Sequence, residues 1–447
     1  MPAASASHPP GPRARYPGEL LSRLSGRDRL AFLESLPARY GDVCSFRAGG
    51  RRIVLLSHPD DIRDVLVTHQ RRFMKGRALQ RAKRLIGDGL LTSEGELHLR
   101  QRRLVQPAFH KARIAGYADA MAQAAVAARE SWRAGPADIN AAMMALTMTI
   151  VARTLFATDV AHETERVAQA LHDAFSSFNL GFSPLAPLLD ALPTAKTRAF
   201  KRARATLDDI IYRIIAERRR EGGDRGDLLS MLLAAQDTEG DGTGMSDTQL
   251  RDELLTLFLA GHETTANALS WTWLLLEQHP AVREALHAEI DGALGDRTPI
   301  ADDVARLPYT RAVFAEAMRL YPPAYIVGRM ALESHTVREW SFPRGTIFLM
   351  SQWITHRDAR WWGTPGAFRP ERWLEPDERP RFAYWPFGGG TRICVGEQFA
   401  WMEGVLVLAA LARRWEVRVA APYPRPEPII TLRPTGGMPA TLVARAR

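Results

Sequence analysis

Residues 387–396 read Phe387-Gly388-Gly389-Gly390-Thr391-Arg392-Ile393-Cys394-Val395-Gly396 and directly precede an apolar stretch with helical spacing. The glycines let the backbone pass close to a bulky flat group and take positive φ where needed. Backbone N–H groups at the start of the following helix favour negative charge on the sulfur of Cys394. Phe387 offers an apolar cover, and Arg392 offers a cation for an acidic group. Together these residues predict a thiolate bound to the iron of a haem whose propionates need partners.

The pattern F-x-x-G-x-R-x-C-x-G resembles the haem-binding signature of the cytochrome P450 family, and further matching segments follow the family's order over roughly residues 36–445. The resemblance implies a mainly α fold with a small β-rich subdomain. In that fold a long central helix and the cysteine-loop helix enclose the haem. It also implies haem b as cofactor, with Cys394 as the axial iron ligand and Phe387 and Gly396 beside the ring.

Composition places the chain among ordinary globular proteins, with 447 residues, 46% hydrophobic and 24% charged. Two cysteines exclude a disulfide framework, and Cys44 has no intramolecular partner if Cys394 binds iron. We therefore expect a reducing compartment, the cytoplasm. Residues 1–16 are rich in Ala, Ser, Pro and Arg and lack the apolar core of a secretory signal or membrane anchor. They predict a flexible tail before a single domain at residues 17–447.

The net charge of +9 is carried mainly by arginines scattered along the whole chain. A nucleic-acid-binding protein would instead show a compact basic arm or zinc-finger spacing, so we expect no nucleic-acid partner. Haem propionates explain some of the arginines, and a basic face would attract an acidic electron-donor protein. Most of the others are interpreted as solvated surface, and we expect a monomer.

Alternating side chains predict a small β-rich part. Residues 42–57 predict a hairpin with Gly49-Gly50 as its two-residue turn, followed by a helix over about residues 60–68. Residues 92–310 are instead almost wholly helical in pattern, with breaks near prolines. The β-rich part is assigned to three segments, about residues 36–70, 323–357 and 415–445.

A long central helix is predicted from Ser246-x-x-Gln249, a capping box, to about His279 before Pro280. At 1.5 Å per residue it would be about 50 Å long, and it is apolar on most faces, so it should be buried.

This helix contains Ala260-Gly261-His262-Glu263-Thr264-Thr265, and polar groups inside a buried helix are costly unless they are used or satisfied. Thr264 can bond back to the carbonyl of Ala260, which would make the segment a satisfied polar kink. The alternative is a proton path. The segment resembles the family's oxygen-activating acid–alcohol pair, which maps to Glu263 and Thr264 as catalytic residues.

Two further segments match the family. Glu316 and Arg319, spaced i,i+3, lie on one helix face, and with Arg372 they resemble the E-x-x-R network that locks the cysteine loop. His98 and Arg102 share a face of an earlier helix. The resemblance makes them propionate partners, together with Arg329 and Arg392.

The resemblance implies a monooxygenase that inserts one atom of O2 into an apolar small molecule. Electrons would come from NAD(P)H through a ferredoxin or flavodoxin and its reductase, because no G-x-G-x-x-G follows a strand. The basic charge favours an acidic ferredoxin. A peroxygenase and a haem-thiolate sensor are the alternatives, and the pair Glu263-Thr264 argues against both.

The substrate is where the sequence is least informative. By resemblance the pocket would be apolar, which fits a terpenoid, a fatty acid or a steroid-like compound. Residues 175–178 and the loop with Pro184 and Pro187 would form a mobile lid. The pocket residues expected by resemblance are Leu79, Leu85, Phe178, Phe182, Leu185, Ala260, Ile326, Val327 and Met438.

Overall fold

The computed structural model describes residues 8–156, 170, 192, 194–240 and 242–445. Helices predominate among them, as predicted. Apart from short 3₁₀ segments, the helices are Glu19–Ser25, Arg29–Tyr40, Pro59–Arg63, Asp64–Thr68 (a π-helix), Arg77–Ile86, Gly95–Val105, Lys111–Ser131, Ile139–Phe156, Ala195–Glu221, Leu228–Ala234, Asp247–Gln278, Pro280–Leu294, Pro308–Leu320, Gln352–Thr355 and Glu397–Ala412.

The central helix, Asp247–Gln278, organises the core. Its start is as predicted, since the Ser246 hydroxyl accepts a hydrogen bond from the Gln249 N–H at 3.2 Å. Most of its side chains are buried, and it packs against Ile139–Phe156, Pro308–Leu320 and Glu397–Ala412. A helix that is apolar all round needs such neighbours on every side, which explains its central place.

A five-stranded sheet forms the main β-rich part. The strands are β1 (Val43–Ala48), β2 (Arg51–Leu56), β3 (Phe73–Lys75), β5 (Val327–Ala331) and β8 (Ile347–Met350), in the order β1-β2-β8-β5-β3. The predicted hairpin is present, because β1 and β2 pair antiparallel with Ala48 opposite Arg51. Strands β2 and β8 are parallel, so the two distant segments of the chain meet in one sheet.

The remaining strands form smaller sheets. They are β4 (Gly135–Asp138), β6 (His335–Val337), β7 (Trp340–Phe342), β9 (Trp415–Val419), β10 (Pro426–Pro428), β11 (Leu432–Pro434) and β12 (Pro439–Ala444). Strand β12 lies between β4 and β9, β10 pairs with β11, and β6 pairs with β7.

Three details differ from the expectations. The segment 415–445 does not join the five-stranded sheet, and Val417 and Leu442 pack into the main helical core. Residues 135–138 lie in the stretch predicted as almost wholly helical, but they form the edge strand β4, where Pro136 is tolerated. The helix expected over residues 60–68 is an α-helix, Pro59–Arg63, followed by the π-helix.

The predicted tail is attached to β1 along part of its length. Pro9 is buried, and the Pro10 carbonyl accepts a hydrogen bond from the Ser45 N–H at 3.0 Å. The division into a tail at 1–16 and one domain at 17–447 stays a prediction.

Candidate active site

The cysteine loop is held tightly against its neighbours. Gly390 has φ 68°, and a Cβ there would lie 2.0 Å from the Leu66 carbonyl oxygen, so only glycine fits. The side-chain oxygen of Gln70 accepts from the N–H of Thr391 at 2.7 Å and from its hydroxyl at 2.9 Å. The Cys394 N–H donates to the Phe387 carbonyl at 2.9 Å, which closes the loop before the helix Glu397–Ala412 begins.

The Cys394 side chain is accessible, yet burial raises the pKa of its thiol. The sulfur is exposed only towards the inside of a cavity, and protein surrounds it on its other sides. It is therefore accessible and largely buried at the same time. The Gly396 N–H opposes the effect of burial and lowers the thiol pKa. A sulfur in this setting becomes a stable thiolate when a cation lies opposite it, which is what a metal ion provides.

The cavity has a volume of about 1640 Å³ and brings most of the predicted site together. Its walls include predicted cofactor and catalytic residues and five predicted pocket residues. The first group is His98, Arg102, Glu263, Thr264, Arg329, Phe387, Arg392, Cys394 and Gly396, and the second is Leu79, Leu85, Ala260, Ile326 and Val327.

The prediction for Met438 was wrong. Its side chain is fully buried in the main core and does not line the cavity. Its backbone is instead bonded to the start of the helix Ile139–Phe156: the Met438 N–H donates to Asp138, and the Met438 carbonyl accepts from the Ile139 N–H. Phe178, Phe182 and Leu185, with the predicted lid, lie outside the described residues.

Several basic side chains line the cavity, and their charges act on one another. Arg392 donates to the Ser93 carbonyl at 2.7 Å and to the Glu94 carboxylate at 2.5 Å. Arg102 donates to the Ile393 carbonyl at 2.5 Å, directly before the cysteine. Burial, with Arg392 nearby, lowers the pKa of Arg329 to about 10 and that of His98 to about 3.

Lys75 belongs to this group, and sequence reasoning missed it. It is 5% exposed, lines the cavity and donates to the Leu90 carbonyl at 3.0 Å. Burial, and next the charge of Arg392, hold the lysine pKa well below its usual value. A lysine in a short strand looks like a surface residue in sequence, so only the fold reveals it.

The negative charge that balances these basic side chains is small. The acids whose charges act on Lys75 are Glu94 and Glu253. Burial raises the pKa of Glu253 to about 8, so it is mostly neutral near pH 7. Glu94 is the acid whose charge acts on Lys75, Arg329 and Arg392 alike, and the site fits a ligand that carries two negative charges, as haem does with its propionates.

The acid–alcohol pair has the expected local geometry. The Thr264 hydroxyl donates to the Ala260 carbonyl at 2.6 Å, and both residues line the cavity. The Glu263 carboxylate accepts from Arg433 Nε at 2.6 Å and from the Thr431 hydroxyl. Thr431 and Arg433 come from the β10–β11 region, some 170 residues along the chain, and no sequence pattern indicated them.

The Glu316 network is buried and fully connected. Arg319 binds Glu316 through two nitrogens at 2.9 and 2.8 Å, and Arg372 Nε binds it at 3.0 Å. Trp373 Nε1 donates at 2.9 Å and the Arg369 N–H at 3.1 Å, two contacts that were not predicted.

The network reaches the cysteine loop through a histidine. Arg319 donates to the His356 carbonyl at 2.8 Å, and His356 Nε2 accepts from the Trp385 N–H at 3.0 Å. Trp385 stands two residues before Phe387, where the loop begins.

The family model described as cytochrome P450 matches residues 9–438. The chain belongs to the cytochrome P450 family. Over nearly all of its length this P450 is similar to a solved structure, the haem domain of cytochrome P450DA, with a TM-score of 0.88, 26% identity and 98% of each chain covered.

Curated relatives of this P450 include two proteins of Streptomyces melanosporofaciens. Cyclooctatin synthase is 43% identical over 92% of this chain and 90% of its own length. Cyclooctat-9-en-7-ol 5-monooxygenase is 40% identical over 88% of this chain and 86% of its own. Pentalenene oxygenase of Streptomyces avermitilis is 35% identical over 88% of each.

The chain is thus a cytochrome P450 monooxygenase, and the prediction of family and enzyme class is confirmed. The family implies a haem-thiolate cofactor, and Cys394 with the surplus of cations fits it. Among the helices of the described residues, none is long and apolar enough to cross a bilayer.

Proposed function

We propose that this P450 hydroxylates a terpenoid, placing one atom of O2 in the product and the other in water. The observation that carries the proposal is the set of relatives at 35–43% identity, whose names specify cyclooctat-9-en-7-ol and pentalenene. The apolar cavity wall supports it, since Leu79, Leu85 and Val327 would pack against a hydrocarbon without leaving polar groups unsatisfied.

The proposed cofactor is haem b, and a thiolate-ligated haem supplies the activation of O2 and the oxygen transfer when it is bound. Cys394 would be the iron ligand, with Phe387 and Gly396 beside the ring. The propionates would be held by basic side chains of the cavity wall: Lys75, His98, Arg102, Arg329 and Arg392.

Glu263 and Thr264 are the proposed proton path. The Thr264 hydroxyl lies on the cavity wall, where it can hold a water molecule by hydrogen bonding. Glu263 is buried, but its partner Arg433 has a side chain that is 27% exposed. The carboxyl therefore connects the cavity with a partly solvated cation, and it can take a proton from solvent and pass it to that water.

The electron donors are proposed to be NAD(P)H with a reductase and a ferredoxin, or a flavodoxin. The net charge of +9 supports an acidic ferredoxin, because opposite net charges accelerate association. A cytoplasmic location and a monomeric, single-domain protein remain part of the proposal.

The test is turnover with ferredoxin, reductase, NAD(P)H and isotope-labelled O2, offering cyclic terpenoids, fatty acids and steroids in parallel. We expect terpenoids to shift the haem spin state and to gain one labelled oxygen atom. Preferential oxidation of a fatty acid or steroid would overturn the terpenoid assignment. Equal turnover with hydrogen peroxide alone would indicate a peroxygenase, and no nucleotide consumption at all would indicate a sensor.

The variant Thr264→Ala tests the proton path. Without the hydroxyl the water on the cavity wall loses a partner, so product per NAD(P)H should fall severalfold while peroxide release rises. Thr149→Ala is the matched control, since Thr149 makes the same i−4 bond to Ala145 on an exposed helix face. Unchanged coupling in Thr264→Ala would assign the role to another group.

A further inference from the structure

A cluster of two histidines and an aspartate lies outside the active site. His69 Nδ1 is 2.7 Å from Asp64 Oδ1, and His335 Nε2 is 2.8 Å from Asp64 Oδ2. One ligand atom from each residue lies within 4.8 Å of the others. Within the residues that the structure describes, no other group of three or more His, Cys, Asp or Glu side chains has its ligand atoms this close together.

The arrangement matches the ligand set of a zinc ion. Two imidazole nitrogens and one carboxylate oxygen are a common zinc donor set, with bonds of about 2.0–2.2 Å. In a tetrahedral site such ligand atoms lie about 3.3 Å apart, by the geometry of those bond lengths. The two histidines contact different oxygens of Asp64, Oδ1 at 2.7 Å and Oδ2 at 2.8 Å. The carboxylate would therefore bind the ion through both oxygens, or rotate about its Cβ–Cγ bond to present one oxygen between the two imidazoles.

The surroundings hold the ligands but leave a way in. The His335 side chain is only 2% exposed and is packed edge-on against the rings of Phe73 and Phe348. Asp64 and His69 are 30% and 35% exposed, so an ion can reach them from solvent. The neighbouring cation, Arg72, forms an ion pair with Glu333 at 2.9 Å, which reduces its repulsion of a metal.

The backbone around the cluster is unusual. Asp64 and His69 stand at the start and just past the end of the π-helix Asp64–Thr68, where the His69 N–H donates to the Asp64 carbonyl at 2.8 Å. One-turn π segments often occur at functional sites. Here the extra residue per turn places both side chains on the same side, facing His335.

We propose that Asp64, His69 and His335 bind a zinc ion, with a water molecule in the fourth position, and that the ion clamps the π-helix to strand β6. The site lies behind the cysteine loop. Leu66, inside the π-helix, packs its carbonyl against Gly390, and Gln70, next to His69, binds Thr391. Zinc would thus brace the segment on which the loop rests. The proposal is independent of the terpenoid assignment.

The test is equilibrium dialysis of the untagged, haem-loaded protein against zinc, followed by measurement of zinc and iron by mass spectrometry. We expect about one zinc per iron in the native protein, as three protein ligands and a water suffice for binding. The variants His69→Ala and Asp64→Asn should weaken zinc binding at least tenfold. Both positions are partly exposed, so these variants are expected to fold, which haem content and circular dichroism would verify.

His58→Ala is the matched control. His58 also lies beside an aspartate, at 3.7 Å from Asp60, but among the described residues it belongs to no three-ligand cluster. Its loss should leave zinc binding unchanged. Zinc should also raise the melting temperature of the native protein and of His58→Ala, but not of His69→Ala. Absence of bound zinc in the native protein, or undiminished binding in both cluster variants, would overturn the proposal.

Discussion

Two arginine-rich regions flank the cysteine loop, and they differ in how their charge is balanced. Around Glu316, the guanidinium groups of Arg319 and Arg372 meet a carboxylate and several carbonyls at hydrogen-bond distance. Around the cavity, the charge of a single carboxylate, that of Glu94, acts on Lys75, Arg329 and Arg392 together. The first region is complete as it stands, whereas the second gains most when an anion binds. A buried cation therefore indicates an anion-binding site only when the protein itself supplies too few carboxylates and carbonyls to balance its charge.

The largest effect on activity is expected at Cys394, in the loop between the two regions. Cys394→Ser removes the thiolate while leaving the loop contacts of Gly390 and Thr391 in place. Monooxygenase activity should be abolished, because an alcohol cannot donate charge to iron as a thiolate does. The reduced carbon monoxide complex should lose the red-shifted absorption typical of thiolate ligation. Cys44→Ser, at the other and buried cysteine, is the control, and an unchanged spectrum in Cys394→Ser would refute the ligand assignment.

Removing the carboxylate of the Glu316 network should lower the free energy of unfolding. Glu316→Gln leaves Arg319 and Arg372 buried without their carboxylate, and loss of one partner of a buried ion pair costs about 3–5 kcal/mol. Denaturant unfolding of the haem-loaded protein would measure it. Glu375→Gln, whose ion pair with Arg369 is exposed, should change stability by no more than about 1 kcal/mol. Similar values for the two variants would mean that the network is not structural.

Removing a cation from the cavity region should instead leave the stability of the haem-free protein unchanged and weaken haem binding. Arg329→Met relieves repulsion from Arg392, so the haem-free protein should be no less stable than the native one. Haem should be lost about 10- to 150-fold faster, since a hydrogen bond to a charged group contributes about 1.5–3 kcal/mol. Transfer of haem to apomyoglobin measures this rate, with the exposed Arg344→Met as control. If Arg329→Met destabilised the haem-free protein as Glu316→Gln does, the distinction between the regions would fail.

The last effect arises only on acidification. Burial and the nearby cations lower the pKa of His98 from 6.5 to about 3 in the folded protein. The unfolded chain therefore binds a proton below pH 6.5 that the folded chain does not, and stability falls as the pH drops from 6.5 towards 3. In the haem-free protein, His98→Gln should reduce this loss on acidification. Equal pH profiles for the native protein and the variant would show that His98 does not contribute.

The sequence was most informative where the chemistry is local. The glycine spacing before Cys394, the i−4 bond of Thr264 and the i,i+3 pair Glu316–Arg319 depend on neighbours within a few residues, and all three are present. The family resemblance added Arg372, more than fifty residues away.

What the sequence did not indicate depends on contacts between distant segments. Glu263 meets Thr431 and Arg433 because strand β11 and the residue before it pass over the central helix. Met438 was misplaced because an apolar residue near a strand end gives no sign of which side it faces. Lys75 was missed because burial of its ammonium group depends on the nearby charge of Glu94 and on the carbonyl of Leu90, which the fold alone brings together.

The contact between Pro10 and Ser45 has a practical consequence for anyone who shortens or extends the N-terminus. Strand β1 is at the border of its sheet, and a backbone carbonyl from the preceding segment occupies one of its outward N–H groups. Cutting the chain after residue 10 would uncover that donor, and uncovered strand borders pair readily with other molecules. Truncated versions should therefore self-associate at high concentration, and purification tags are better placed at the C-terminus.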